Sequence, residues 1–424
     1  MGIEPNFLLI INGNMRLREE TSQHFEEFRA KIARYPDHLH GTERQKWLAE
    51  MLERSSLEVR SALKEVIEYH LLMMKDLEAS DIDMGGDGCN GQIWYRIHGD
   101  KRPFEESPAL SLSETDAMLL NLISKDQQEF LFEHRNLDFS YVIPGENGPN
   151  QRFRADIYFD LDHLAMNMRR IDTEIRSFKG LGLHPEIAKV LSLKYLKFGL
   201  TLVTGITGSG KSATLDTIID ANNRSVDSHI VVISSPVELV HDSIRSIVRH
   251  REVGRDVPSF RHGVVQCLRQ DPDIIVIGEL RDADTILTAL EVTDSGHKVF
   301  STLHTASASE SIDRIIGEVP VREQERVRNR LADVISCVIS QKLVPTLDGK
   351  RVLAKEVMMA TGSVKAAIRN NNVNEIYQML AEGSNIGMHT LEQDLKKLVY
   401  EYRISPEEAL NYANNKKRMK ELLR

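Results

Sequence analysis

Gly205, Gly210, Lys211 and Ser212 fall at the spacing G-x-x-x-x-G-K-[ST], with a further glycine at Gly208. These residue types in this order suit phosphate chemistry. Glycines let the main chain approach an anion closely enough for several backbone N–H groups to point at it. Lys211 supplies positive charge for β- and γ-phosphate oxygens, and Ser212 supplies a hydroxyl for Mg²⁺. Thr207, Ser209 and Ala213 complete the expected nucleotide-contacting positions. A helix over about residues 212–222 would offer its positive N-terminus to the same anion. The apolar run 200–204 reads as a buried strand feeding the loop. A plain glycine turn is the weaker reading, since the full pattern arises by chance on the order of once in a hundred chains of this length.

A phosphate loop alone does not separate a kinase from a GTPase or a motor, so the residues downstream decide. In residues 271–282, four consecutive apolar residues at 274–277 form a strand that ends on Glu279. Open α/β sheets bind ligands at that end of their strands. Glu279 is a candidate to hold Mg²⁺ through water, and Arg281 joins it as a candidate catalytic residue. Glu238 follows a strand over 230–234 and Pro236-Val237, and is a candidate to orient and polarise an attacking water. His297 and His304 stand at the two ends of a short strand, where they would sense the γ-phosphate or its loss. Their spacing makes no metal pair. Taken singly, Glu238 reads as a surface carboxylate and each histidine as structural.

The elements that must position these residues alternate between strands and helical stretches, which implies a parallel sheet covered on both faces. Upstream, residues 19–77 are rich in helix formers, with Phe28, Ile32, Trp47, Leu48, Met51 and Leu52 recurring at helical steps. Ala79-Ser80-Asp81 and the glycines at 85–88 read as turn chemistry, and strands are expected at 92–97, 137–142 and 152–158 with a helix near 112–124. After about residue 355 the pattern is helical. A chain of 424 residues is expected to form two or three domains. Its 41% apolar and 28% charged residues are those of a soluble globular protein. Acidic residues outnumber basic ones, 63 to 54, and no basic, aromatic stacking pattern accompanies the loop, so no nucleic-acid partner is expected. The apolar run 7–11 is too short to span a membrane, no signal-peptide core opens the chain, and Asn6 departs from a myristoylation motif at Gly2. Cys89, Cys267 and Cys337 make no C-x-x-C, which excludes a disulfide framework or a four-cysteine zinc site within the chain and points to the cytoplasm.

Four ordered motifs carry a resemblance. Residues 205–212, Pro236-Val237-Glu238, residues 271–282 and residues 296–305 resemble the Walker A, aspartate-box, Walker B and histidine-box motifs of the secretion ATPase superfamily of type II secretion and type IV pili. Ala79-Ser80-Asp81-Ile82, Ser311 to Ile315 and Gly387 to Leu391 add to it, and the likeness is greatest to the PilT-like retraction branch. The resemblance implies an α/β fold: a RecA-like P-loop ATPase core at 177–355, a PAS-like N-terminal α/β domain at 78–176, a helical N-terminal extension at 1–77 and a helical C-terminal region at 356–424. It also implies a homo-hexameric ATPase using ATP and Mg²⁺, with ATP bound between two domains and closed by a neighbouring subunit. The motor would drive pilus retraction and twitching motility through an inner-membrane platform protein, from the cytoplasmic side. Glu238 takes the place of the catalytic glutamate, Glu279 of the Walker B glutamate, and His297 and His304 of the histidine pair. Arg152, Arg154, Arg169 and Arg170 are the candidates for arginines acting on a neighbour's nucleotide.

The chain also departs from the pattern. Ser234-Ser235 stands where the family usually has an acidic pair, Lys197-Phe198-Gly199 lacks an arginine common before the loop strand, and residues 363–369 match the retraction branch's A-I-R-N-L-I-R only in part. Without two carboxylates near Mg²⁺, a weakly active nucleotide-binding ring subunit that regulates a second motor ATPase stands as an alternative. An assembly or secretion ATPase is the other. The absence of the paired C-x-x-C insertion typical of those motors favours the retraction branch.

Overall fold

The computed structural model describes residues 19–33, 36, 38–145, 150–171 and 174–424, so the run at 7–11, Gly2 and Asn6 lie outside the described residues. The chain forms two compact units, residues 1–173 and 174–424. In the first, helices α1 (Glu19–Ile32), α2 (Gly41–Glu53) and α3 (Leu57–Asp76) precede β1 (Ala79–Gly85), β2 (Trp94–Ile97) and β3 (Asp100–Pro103). Then come α4 (Leu112–Leu122), α5 (Lys125–His134), β4 (Asn136–Ile143), β5 (Gln151–Asp160) and β6 (His163–Ile171). The six strands make an antiparallel sheet in the order β3-β2-β1-β6-β5-β4.

Two expectations meet a different outcome here. Ala79-Ser80-Asp81 is not a turn but the start of β1, a central strand. Strand alternation sends Ile82 and Met84 into the core and Asp81 and Asp83 to the other face. There Arg169 Nε reaches Asp81 Oδ1 at 2.8 Å and Lys101 Nζ reaches Asp83 Oδ2 at 2.8 Å. The helices at 19–76 also have no core of their own. Phe28, Leu48, Leu63, Ile67 and Leu71 share one apolar cluster with Ile82, Tyr95, Phe153 and Met168 of the sheet. A buried carboxylate ties the same layers together: Asp116 accepts from Gln45 Nε2 at 2.8 Å, His163 Nδ1 at 2.9 Å and Leu164 N–H at 2.7 Å.

The second unit opens with α6 (Pro185–Leu191), β7 (Gly199–Thr204), α7 (Lys211–Ser225), β8 (His229–Ser234), β9 (Ile247–Glu252) and α8 (Phe260–Cys267). It continues with β10 (Ile274–Ile277), α9 (Ala283–Asp294), β11 (Lys298–Leu303), α10 (Ala308–Gly317), α11 (Val321–Val334), β12 (Ile335–Pro345) and β13 (Arg351–Met359). Helices α12 to α16 follow at Gly362–Arg369, Ile376–Glu382, Leu391–Tyr400, Pro406–Tyr412 and Lys416–Leu422. Seven strands lie in the order β13-β12-β7-β11-β10-β8-β9, parallel except for the β12–β13 pair. Strands β7, β10 and β11 are buried along their whole length, as the middle of a sheet covered on both faces requires.

The expected boundary at 355 falls inside β13. The last helices are built onto this sheet rather than set apart, because Val344, Val352 and Ala354 form one cluster with Leu391, Leu395 and Met419. Lys342 on β12 reinforces that attachment, donating to Tyr412 O at 2.8 Å and Asn414 Oδ1 at 2.7 Å.

Both tryptophans, Trp47 and Trp94, belong to the first unit, so their fluorescence follows its unfolding alone. Leu63→Ala should lower that unit's stability by about 2–5 kcal/mol, read as a shift in the urea midpoint. An unshifted midpoint would mean that α3 contributes nothing to the shared core.

Candidate functional site

Strand register builds the site. Thr204 of β7 pairs with Leu303 of β11, Ser301 of β11 with Ile277 of β10, and Ile277 with Ile233 of β8. Four strands therefore end almost level, and the residues that follow them emerge on one edge: Gly205, His304, Glu279 and Glu238. Hydroxyls of β11 fix the turn that carries Glu279, with Ser301 Oγ donating to Ile277 O at 2.6 Å and Thr302 Oγ1 to Gly278 O at 2.7 Å.

The loop itself has two positions that only glycine serves. A Cβ on Gly205, whose φ is +151°, would collide with Ser209 Oγ and sit 2.5 Å from Gln341 O. Gly210, at φ +86°, is the left-handed N-cap of α7. Thr207, Gly208 and Ser212 are exposed, Ala213 is half-buried, and Ser209 is buried. Lys211 curls back over this concave main chain, donating to Gly205 O at 2.8 Å and Ile206 O at 3.2 Å. That posture keeps the ammonium in the cradle where an anion would meet it.

Around Lys211 the other groups form a chain of charges. Its Nζ lies 3.4 Å from His304 Nδ1, His304 Nε2 lies 3.3 Å from Glu279 Oε1, and Arg281 Nε lies 2.8 Å from Glu279 Oε2. A neutral imidazole with its proton on Nε2 satisfies both neighbours, accepting from lysine and donating to the carboxylate. Burial pushes His304 down from the ordinary imidazole value, the Lys211 charge adds to this, and Glu279 opposes it. Burial likewise lowers Lys211, against the pull of Glu279 and Glu238. Glu238 is thus within electrostatic reach of the same ammonium.

His297 is the candidate the structure removes from this constellation. It sits before the first residue of β11, roughly 20 Å along the strand from His304 at ~3.3 Å per residue, on the opposite edge of the sheet. There its Nδ1 lies 3.0 Å from Ser295 Oγ and 3.2 Å from Val292 O. A parallel strand can present only one of its ends to the loop.

The four arginines belong to the first unit. Arg152, Arg154 and Arg169 share one sheet face, with Arg154 directly opposite Arg169, whereas Arg170, the neighbour of Arg169, points to the other face. Arg154 makes a two-pronged contact with Asp138, Nη2 to Oδ2 at 2.7 Å and Nε to Oδ1 at 3.3 Å.

Gln341 joins the site without any signal in the sequence. On β12, buried, it donates from Nε2 to Ser209 O at 2.7 Å and so supports the loop from beneath. Behind it runs a file of buried hydroxyls, with Thr204 Oγ1 2.8 Å from Ser340 Oγ and Thr305 Oγ1 2.7 Å from Ser311 Oγ. Gln341 and Ser340 lie outside the motifs, and their partners Ser209 and Thr204 are 132 and 136 positions away.

The family described as Type II/IV secretion system protein matches residues 161–421. The chain belongs to this family. Among relatives of this secretion-system protein, the type IV pilus retractation ATPase PilT of Pseudomonas aeruginosa is 37% identical over 314 residues, 74% of this chain and 89% of the relative. The twitching motility protein of Neisseria gonorrhoeae is 36% identical over 350 residues, 82% of this chain and 91% of the relative. A crystal structure of the pilus retraction motor PilT with bound ADP superposes with a TM-score of 0.73 at 33% identity, covering 85% of this chain and 98% of that one. The family member described here therefore has the α/β fold expected of it, a RecA-like P-loop core with an N-terminal α/β domain.

Gly205→Ala should weaken nucleotide binding at least ~10-fold, about 1.4 kcal/mol, because the main-chain neighbour Gln341 O has no flexible end to yield. Titration with a fluorescent ATP analogue checks this, and wild-type affinity would show that the loop relaxes at no cost.

Proposed function

We propose that this chain is an ATP-hydrolysing motor that powers type IV pilus retraction. It would work as a homo-hexameric ring on the cytoplasmic side of the inner membrane, acting on a platform protein in that membrane. The observation that carries this reading is the meeting of the phosphate loop, Glu279 and His304 at one sheet edge, in a chain that aligns with 89% of a retraction ATPase. Among the described residues no helix is long and apolar enough to cross a membrane.

In this reading Lys211 and the amides of 205–213 hold the β- and γ-phosphates. Mg²⁺ fits the donor set present: the Ser212 hydroxyl is exposed at the start of α7 and the Glu279 carboxylate is partly accessible, while no cluster of three or more His, Cys, Asp or Glu among the described residues makes a metal cage. Two oxygen donors completed by phosphates and water suit this ion. When bound it neutralises phosphate charge. Glu238 orients a water for in-line attack on the γ-phosphorus and takes its proton as the bond to the bridging oxygen breaks, leaving ADP and phosphate. His304, between Lys211 and Glu279, registers the loss of the γ-phosphate. An arginine of a neighbouring subunit, from Arg152, Arg154 or Arg169, supplies transition-state charge.

One observation favours a second reading. Ser234-Ser235 supplies no carboxylate beside Glu238, as a weakly active ring subunit that regulates another motor would require. Phosphate release by the purified chain with Mg-ATP separates the two. For a motor, Lys211→Ala and Glu238→Gln should each lower kcat by ~10²–10⁴-fold. Slow turnover indifferent to Glu238→Gln would favour the regulatory reading. A deletion strain should be hyperpiliated and unable to twitch, whereas bald cells would point to assembly and normal, retracting pili would overturn the pilus assignment.

A further inference from the structure

Residues outside the phosphate loop hold the segment that carries Glu238 on several sides. Val237 N–H donates to Glu252 Oε2 at 3.0 Å, which fixes the residue before Glu238. His241 N–H donates to His250 Nε2 at 3.2 Å, and the two imidazoles stack with centroids 5.8 Å apart and planes 6° apart. From α7, Asn223 donates to Asp242 O at 2.7 Å and accepts from Ile244 N–H at 3.1 Å.

A further contact joins two side chains. His241 Nε2 lies 3.2 Å from Asp216 Oδ1, with the His241 side chain 1% exposed and that of Asp216 23% exposed. A carboxylate only accepts, so Nε2 carries the proton. Nδ1 of the same ring is buried without a hydrogen-bond partner, so Nε2 is the atom through which the ring bonds. Burial pushes the Asp216 carboxyl up and the bond from His241 pulls it back. Asp216 lies four residues beyond Ser212 on α7, hence on the same helix face. His241 lies three residues beyond Glu238. The pair therefore bridges the helix that starts at the phosphate loop and the segment that carries the water-orienting carboxylate.

We propose that the Asp216–His241 hydrogen bond is a positioning device for hydrolysis, setting where Glu238 stands relative to the phosphate-holding end of α7. The inference rests on the ATPase reading and adds two positioning residues to it. Neither residue is on the loop, and the contacts of Lys211 are with Gly205, Ile206 and His304. Loss of the bridge thus leaves the cradle intact and loosens only Glu238, and a displacement of ~1 Å at a reacting centre costs on the order of 10²-fold in rate.

The test combines steady-state ATPase assays, nucleotide titration and thermal melting on the full chain. Asp216→Ala and His241→Leu should each lower kcat at least ~10-fold, with KM and nucleotide Kd changed less than ~3-fold because the phosphate contacts persist. The double variant should be no worse than the poorer single one, since both remove one bond. Asp216→Asn keeps an acceptor and His241→Gln keeps a donor, so each should hold kcat within ~3-fold of wild type. If the apolar variants do not fold, His241→Asn, whose shorter amide falls short of Asp216, carries the same expectation. Unchanged kcat, a parallel rise in KM, additive losses or failure of the conservative variants would overturn the proposal. Wild-type turnover with a normal Asp216→Ala overturns this inference alone. Wild-type protein that binds ATP without Mg-dependent turnover overturns the ATPase reading and this inference with it.

Discussion

The parallel register of β7, β11, β10 and β8 is the constraint on which the rest of the second unit depends. The strands are apolar and buried between helical layers, so sliding one by a single residue would move every side chain to the opposite face, against the wrong helices. That penalty fixes where each strand stops. Because they stop level, a lysine, a histidine and two glutamates separated by up to 93 positions share one edge, and no metal or disulfide among the described residues is needed to gather them.

Polar groups then convert that coarse alignment into a fine one. The loop rests on Gln341, the turn of Glu279 on Ser301 and Thr302, and the neighbouring strand ends on the hydroxyls of Thr204, Ser340, Thr305 and Ser311. Most of these are short side chains with little rotamer freedom to lose, so holding them in place costs little conformational entropy. Lys211 and Arg281, with long side chains, occupy the accessible rim, where adaptation to a ligand's charge is an advantage.

The placement of Lys211, Glu279 and His304 was legible in the sequence because each follows a short buried run that identifies both a strand and its active end. His297 precedes the run that His304 follows, so the parallel direction that brings His304 to the loop takes His297 to the far end of β11. The strand at Ala79–Gly85 was hidden by its aspartates. Asp81 is satisfied by Arg169, 88 positions away, and sequence read locally counts it as turn chemistry. The N-terminal helices show a similar limit: their periodicity reveals an apolar face but not the sheet that covers it. Gln341, Asp216 and His241 carry no local signal, since an amide, a carboxylate and an imidazole are ordinary residues until a fold brings their partners near.

Gln341 and Lys342 are consecutive on β12, and the strand's pleat directs them to opposite sides. One holds Ser209 of the phosphate loop and the other holds Tyr412 and Asn414 beside the last helices. Mechanically, the two attachments are in series through a single peptide unit, with no hinge or slack chain between them. Movement of the loop is therefore coupled to the C-terminal helices through one strand, with the side-chain hydrogen bonds as its compliant parts.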